Sequence, residues 1–122
     1  MKLAISASGP ALSDAVDERF GRAAYFVLVD PATMEHEAID NGTNRDALQG
    51  AGIAAAELIA ERKAEAVLTA QLGPKAFRAL QAASIPAYAA TGMTVAEAVA
   101  AFESGNLETL SEAGEPKKGV NE

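Results

Sequence analysis

The chain has 122 residues, a formal net charge of −7 and no cysteine, so disulfides and thiolate-bound zinc or iron–sulfur centres are excluded. Its length suits one domain that buries roughly two thirds of its unfolded surface without cross-links. The acidic balance disfavours nucleic acid and anionic membrane as partners, since both are bound through clusters of lysine and arginine. No apolar run approaches the ~20 residues of a membrane span and the first residues are no signal peptide, so we expect a cytoplasmic protein with no membrane partner.

The first predicted element is a strand over residues 2–7, which a glycine–proline pair ends because neither residue continues a central ladder. A connection over residues 11–23 follows. It is too long for a simple hairpin and is therefore a functional candidate. The connection carries Arg19 and Arg22, which concentrate positive charge in an otherwise acidic part of the chain.

A hairpin comes next in the chain. Residues 25–29 are rich in aromatic and branched side chains, which is typical of a strand, and Pro31 lies in a turn position that proline favours. Residues 34–40 alternate as an edge strand does, with charged side chains that keep the edge soluble. Residues 41–46 have turn chemistry, so we expect a loop there.

Helices and strands then alternate: helix 51–62, strand 66–69, helix 74–83, strand 85–89 and a third helix after Thr94. Gly50 and Gly52 lie at the start of the first of these helices. Gly73 precedes the second, whose first residue is a proline, as helix starts favour. Thr94 has a glutamate three residues later, which is the spacing of a capping box.

This order of elements restricts the topology of the sheet. Three strands joined without helices, followed by right-handed crossovers, predict a five-stranded mixed sheet of order 3-2-1-4-5 with strand 2 antiparallel. Both crossover helices should lie on one face and the third helix on the other, which gives a three-layer α/β/α sandwich. We expect a single domain over residues 1–110 and a polar, disordered tail over residues 111–122.

Four segments should meet at one edge of this sheet, where ligands bind in open α/β folds. They are residues 8–22, 41–52, 71–75 and 91–94. Helix N-termini carry partial positive charge and unpaired amides, so this edge suits an anion. The glycines before the first helix have two open interpretations, as packing glycines or as glycines that let a ligand approach.

Enzyme signatures are missing from the sequence. There is no cysteine nucleophile and no Gly-x-Ser-x-Gly elbow, and a serine triad would have to use His36, the only histidine. His36 lies between glutamates on the predicted edge strand and is best interpreted as a solvated side chain. The acidic residues between Asp14 and Glu18 are better interpreted as a solvated loop than as a magnesium site.

Three motifs are more specific. Residues 19–26 read Arg-Phe-Gly-Arg-Ala-Ala-Tyr-Phe, residues 50–52 read Gly-Ala-Gly and residues 72–77 read Leu-Gly-Pro-Lys-Ala-Phe. They resemble the His-Phe-Gly-Arg-Ala-Pro-Tyr-Phe, Gly-Ala-Gly and Ile-Gly-Pro-Asn-Ala-Phe motifs of the dinitrogenase iron–molybdenum cofactor biosynthesis family. The resemblance extends from Met1 to about Leu110 and implies a ribonuclease-H-like three-layer fold.

The resemblance also implies a function. Members of the family are non-enzymatic proteins that bind, store or deliver anionic metal–sulfur clusters, with cofactor-assembly or acceptor proteins as partners. They include carriers of the nitrogenase cofactor and small orange-coloured proteins that hold a molybdenum–copper sulfide cluster. The implied ligand is therefore a molybdenum–copper sulfide cluster or an iron–molybdenum cofactor-like cluster, bound without covalent bonds.

One departure from the family pattern concerns how a cluster would be held. Arg19 stands where the family commonly has histidine, which removes an imidazole ligand and favours ionic and hydrogen-bonded retention. We predict no direct metal ligand. The predicted cluster-binding residues are Ser8, Arg19, Phe20, Gly21, Arg22, Asn44, Gly50, Ala51, Gly52, Gln71, Gly73, Lys75 and Met93.

Two other functions stay open at this point. The glycine turns and helix starts also suit a phosphate or nucleotide-binding regulatory module, although no complete P-loop motif is present. A protein-interaction module without a ligand is the third possibility. Thermal shifts with nucleotides and with thiometallates distinguish the three.

Overall fold

The computed structural model describes residues 1–46 and 49–111. Within these ranges the strands are β1 (Leu3–Ala7), β2 (Tyr25–Val29), β3 (His36–Asp40), β4 (Ala66–Thr69) and β5 (Ala87–Ala89). The helices are α1 (Gly42–Arg45), α2 (Ala51–Glu61), α3 (Pro74–Ala82) and α4 (Val95–Glu103). None of these helices is long and apolar enough to cross a membrane.

The five strands form one sheet of order β3-β2-β1-β4-β5, as predicted. β2 runs antiparallel to both β1 and β3, whereas β4 runs parallel to β1 and to β5. At the centre of the sheet Ile5 pairs with Val27 on one side and with Leu68 on the other. Every residue of β1 and β4 is buried, because helices cover both faces of these central strands.

The helices form two layers around the sheet, and alternate strand residues face each layer. Ala4 and Val67 lie in one core cluster with Ile59 of α2 and Leu80 of α3. Their strand neighbours, Ile5 and Leu68 among them, belong to a second cluster with Val95 and Val99 of α4. The predicted three-layer arrangement, with both crossover helices on one face, is therefore confirmed.

Local differences from prediction have local causes. Residues 42–45 form the one-turn helix α1 instead of a loop, and the Arg45 amide donates to the Asn41 carbonyl oxygen at 2.8 Å. β3 begins at His36 rather than at residue 34, because Met34 has a left-handed backbone with φ of 63°. β5 begins at Ala87 rather than at residue 85.

After α4 the chain returns along β5. The Ala89 amide donates to the Glu108 carbonyl oxygen at 2.8 Å, and the Leu110 amide donates to the Ala87 carbonyl oxygen at 2.9 Å. These bonds cover the outer edge of β5, and Leu110 is buried in the core on the α2–α3 face. The predicted disordered tail is residues 111–122, of which 112–122 lie outside the described residues, so the division into domain and tail stays a prediction.

Candidate anion-binding cleft

A cleft of about 870 Å³ opens where β1 and β4 end, between the N-termini of α2 and α3. It is lined by residues 19–22, 49–53 and 71–76, which belong to or directly adjoin three of the four predicted segments, 8–22, 41–52 and 71–75. Its lining residues are Arg19, Phe20, Gly21, Arg22, Gln49, Gly50, Ala51, Gly52, Ile53, Gln71, Leu72, Gly73, Pro74, Lys75 and Ala76.

The arginine-bearing segment of the cleft is tied to the ends of the central strands. The Asp17 amide donates to the Ser6 carbonyl oxygen at 2.9 Å, and Ser6 Oγ donates to the Asp17 carbonyl oxygen at 2.7 Å. Ser6 Oγ also lies 2.7 Å from the buried hydroxyl of Thr69; since a serine has a single proton, Thr69 is the donor in that pair. The Phe20 amide donates to the Gln71 carbonyl oxygen at 3.1 Å. The segment is therefore fixed to both β1 and β4.

Phe20 anchors this segment in the core. Its side chain is only 1% exposed, and its ring centroid lies 5.2 Å from that of Phe26 in a tilted arrangement. Phe20 thus lies beneath the cleft, where it fixes the position of the neighbouring arginines by packing. A stacking contact with a ligand would require the ring to leave the core.

A buried asparagine that the sequence did not single out holds Arg22. The Nδ2 of Asn41 donates to the carbonyl oxygens of Gly21, at 3.2 Å, and Ala23, at 2.9 Å. Its Oδ1 accepts a hydrogen bond from Asn44 Nδ2 at 3.0 Å. Asn41 is 1% exposed, so these bonds are shielded from water. Asn41 therefore clamps the backbone on both sides of Arg22.

The glycines at this cleft have distinct structural roles. A Cβ at Gly21 would lie 2.7 Å from the Cα of Gly52, and a Cβ at Gly52 would lie 3.0 Å from the Cβ of Ala76. Gly50 is the N-cap of α2 and has a left-handed backbone with φ of 79°. Gly21 and Gly52 are therefore packing glycines that let α2 approach its neighbours, and Gly50 is required by backbone conformation.

No described residue gives a side-chain cap to either of the two helices that border the cleft. The first α-helical hydrogen bonds run from the Ala54 amide to the Gly50 carbonyl oxygen and from the Phe77 amide to the Gly73 carbonyl oxygen. The N–H groups of the residues before Ala54 and Phe77 have no acceptor in their own helix. Among the described residues they have no other acceptor, so they can donate hydrogen bonds at the cleft, where the helix dipoles add partial positive charge.

Positive charge dominates the cleft in a chain that is otherwise acidic. Arg19, Arg22 and Lys75 line it, and no carboxylate occurs among its described lining residues. The Arg19 side chain is 61% exposed, and its Nε lies 3.5 Å from Asp17 Oδ1. Arg22 Nη1 donates to the carbonyl oxygen of Arg45 at 2.6 Å. The cleft therefore provides a local environment for an anion despite the net charge of −7.

Three predicted site residues do not line the cleft. Asn44 contacts Asn41 instead, and Ser8 Oγ donates to the Ala15 carbonyl oxygen at 3.3 Å. Met93 packs in the core on the α4 side, and its carbonyl oxygen accepts from the Val16 amide at 2.8 Å. Residues 91–94 follow β5 at the predicted edge of the sheet. They lie on the α4 face, opposite the cleft, because α4 begins at their end and covers that face.

The described part of the chain contains no group of three or more His, Asp or Glu side chains placed to hold a metal ion. The Asp14–Glu18 stretch instead supplies local hydrogen bonds. Asp14 Oδ2 accepts from the Ala11 amide at 2.8 Å, and Asp17 Oδ1 accepts from the Arg19 amide at 3.0 Å. The polar side chains among the described lining of the cleft are those of Arg19, Arg22, Gln49, Gln71 and Lys75.

Comparison with known proteins places the chain in a family. Residues 1–105 match the family described as dinitrogenase iron-molybdenum cofactor. The apo form of the orange protein from Desulfovibrio gigas is 47% identical, with a TM-score of 0.87 and 96% of each chain covered. A putative NifB protein from Thermotoga is 30% identical, with a TM-score of 0.80 and 98% of each chain covered. An uncharacterized protein of Methanocaldococcus jannaschii is 28% identical over 110 residues, which cover 88% of this chain and 90% of that one. The chain therefore belongs to the dinitrogenase iron-molybdenum cofactor family.

Proposed function

We propose that this protein binds and carries an anionic molybdenum-containing metal–sulfur cluster in the cleft between α2 and α3. The cluster is a molybdenum–copper sulfide or an iron–molybdenum cofactor-like species, and it is cargo rather than a reaction centre. The protein acts as a carrier or store for cofactor-assembly or acceptor proteins and catalyses no reaction of its own.

The single observation that supports this proposal most is the donor set of the cleft. Its described lining combines three cationic side chains with two uncapped helix N-termini and contains no carboxylate. Such a surface attracts an anion and donates hydrogen bonds to it, whereas it offers no thiolate or imidazole that would replace a ligand on a metal. This chemistry suits a finished cluster whose own sulfides already complete the metal coordination.

Each element of the cleft has a role in this proposal. Arg19 and Lys75 supply the charge that draws the anion out of solution, and the amides at the starts of α2 and α3 donate to its outer sulfur atoms. Asn41 and the Ser6–Thr69 pair act indirectly, since they fix the backbone that carries the arginines. The volume of about 870 Å³ leaves room for a multi-atom cluster beyond a single oxyanion.

The family membership supports a role connected with cofactors, and the identity of 47% to the orange protein, solved in its apo form, supports a ligand-binding rather than a catalytic role. Arg19, which stands in place of the histidine common in the family, supports retention of the cluster by charge and hydrogen bonds. Guanidinium stays charged throughout the physiological pH range and donates several hydrogen bonds.

Reconstitution tests the proposal. The purified chain is mixed with tetrathiomolybdate and copper(I), passed through a desalting column and analysed for molybdenum, copper and visible absorption. We expect both metals to co-elute with the protein together with a sulfide-to-metal charge-transfer band. Protein that elutes without metal and without the band, from reconstitution and from its native host alike, would contradict the proposal.

A phosphate or nucleotide-binding function remains the second candidate, because the same amides and cations suit phosphate oxygens. Thermal unfolding with ATP, GTP or inorganic phosphate, compared with tetrathiomolybdate, separates the two. The cluster proposal predicts a larger rise in the unfolding midpoint with the thiometallate. A rise with the nucleotides alone would favour the regulatory module, and no rise with either would favour a protein-interaction module.

A further inference from the structure

We infer that Gly73 is a specificity-determining position of the cleft, which admits a bulky sulfide-rich anion because it carries no side chain. This inference rests on the proposed function, since it assigns the ligand class that one wall of the same cleft selects. Gly73 lines the cleft immediately before α3.

The backbone gives no reason for a glycine at this position. Gly73 has φ of −66° and ψ of 161°, an extended conformation that any residue adopts and that the residue before a proline favours. A Cβ built on Gly73 meets no atom within 4 Å. An alanine would therefore fit here without strain and without displacing a neighbour.

Gly73 differs in this respect from the other glycines of the cleft. Gly50 has a left-handed backbone, which favours glycine. At Gly21 and Gly52, backbone or Cβ atoms of neighbouring residues lie too close for an added Cβ. The fold therefore explains three of the four glycines that line the cleft. Gly73, the fourth, leaves open space at the wall of the cleft, whose positive charge suits an anion.

Helix stability also argues against glycine at this position. Gly73 is the N-cap of α3, and serine or aspartate at an N-cap stabilises a helix better than glycine because its side-chain oxygen accepts from a first-turn amide. Such an oxygen would occupy an amide that faces the cleft. Glycine thus leaves both space and donors for a ligand, at some cost in helix stability.

The test compares Gly73→Ala and Gly73→Ser with the unchanged chain, using tetrathiomolybdate as the bulky probe and molybdate as the small one. We expect Gly73→Ser to unfold at the same temperature as the unchanged chain or higher, because serine restricts the unfolded chain and can cap the helix. Gly73→Ala should unfold close to the unchanged chain, because restriction of the unfolded chain offsets the loss that alanine causes at an N-cap. We expect tetrathiomolybdate affinity to fall by about tenfold, which corresponds to ~1.4 kcal/mol. Molybdate affinity should fall less than tetrathiomolybdate affinity for Gly73→Ala, because oxygen is smaller than sulfur.

Gly52→Ala is the matched control, because it adds the same methyl group in the same cleft where Ala76 leaves no room. It should lower the unfolding temperature by more than Gly73→Ala does. Unchanged tetrathiomolybdate affinity in Gly73→Ala, or an unfolding temperature lowered as far as that of Gly52→Ala, would overturn the inference. Failure of the unchanged chain to bind tetrathiomolybdate, alone or with copper(I), would instead overturn the proposed function, so the two failures are distinguishable.

Discussion

The helices α3 and α4 begin with nearly the same backbone but with different side-chain chemistry. Their N-caps, Gly73 and Thr94, have φ and ψ of −66° and 161° and of −80° and 167°. Thr94 Oγ1 accepts from the Glu97 amide at 3.1 Å, and Glu97 Oε1 accepts from the Thr94 amide at 2.9 Å. Gly73 has no side chain to offer, although its backbone would place one equally well.

Under the proposed function, this difference separates a helix start that serves the fold alone from one that also serves a ligand. α4 begins on the face opposite the cleft, and its first amides are satisfied by the capping box and by the carbonyl oxygens of Asp14 and Leu12. α3 begins at the cleft beside Lys75, and its first amides have no side-chain acceptor among the described residues. The two N-caps have nearly the same backbone conformation. The conformation at Gly73 is therefore not the reason that α3 lacks a side-chain cap.

Charge reversal at the start of α3 should have the largest effect on ligand affinity, and it tests whether this helix start differs from that of α4. Lys75→Glu places a carboxylate beside the start of α3, where it repels an anion and competes for the helix amides. We expect tetrathiomolybdate affinity to fall by about a hundredfold, or ~2.7 kcal/mol, in a binding titration.

Lys63→Glu is the matched control for this change. It alters the net charge by the same amount, but Lys63 follows the far end of α2 and does not line the cleft. The affinity of Lys63→Glu for tetrathiomolybdate should stay within about twofold of that of the unchanged chain, since exposed charges beyond a Debye length are largely screened. Equal losses in both variants would show that the cleft has no special role.

Gly21→Ala should have the next largest effect, and it acts on the fold rather than on the ligand. The new methyl group would lie 2.7 Å from the Gly52 Cα and amide nitrogen, so α2 has to move away. We expect a loss of about 1–3 kcal/mol in the free energy of unfolding, measured by urea denaturation. A loss no larger than that of Gly73→Ala would contradict the distinction between packing glycines and the open glycine.

Thr94→Ala should have the smallest effect, confined to the stability of α4. Removal of the threonine oxygen leaves the Glu97 amide without its acceptor, at a cost of about 1 kcal/mol in the free energy of unfolding. Tetrathiomolybdate affinity should not change, because Thr94 lies outside the cleft. A weakened affinity in this variant would show that residues 91–94 belong to the site after all.

Much of the fold follows from local sequence signals. Continuous apolar runs such as residues 66–68 predict strands covered on both faces, and the three strands joined without helices restrict the sheet to the observed order. α1 was not predictable in this way. A helix of four residues has little intrinsic stability, and α1 depends on the tertiary position of the buried Asn41.

The candidate site likewise has a part that the sequence predicted and a part that it did not. Residues 19–22, 50–52 and 71–75 could be placed together because all of them follow strand ends on one edge of the sheet. Ser8 and Met93 were placed there on the same rule. That edge of the sheet, however, borders both the α2–α3 face and the α4 face, and these two residues lie on the α4 side. Asn41 escaped notice because two of its three side-chain hydrogen bonds reach Gly21 and Ala23, which only the fold brings close to it.

Amide chemical shifts of the isotope-labelled chain, followed during titration with tetrathiomolybdate and copper(I), test the central claim most directly. The account predicts the largest shifts at Ala51, Gly52, Ile53, Lys75 and Ala76, whose amides precede the first helical hydrogen bonds at the cleft. The amides of Thr94 and Glu97 should stay near their starting positions, since the capping box already binds them. Shifts centred on the start of α4, or no shifts at saturating ligand, would contradict the account.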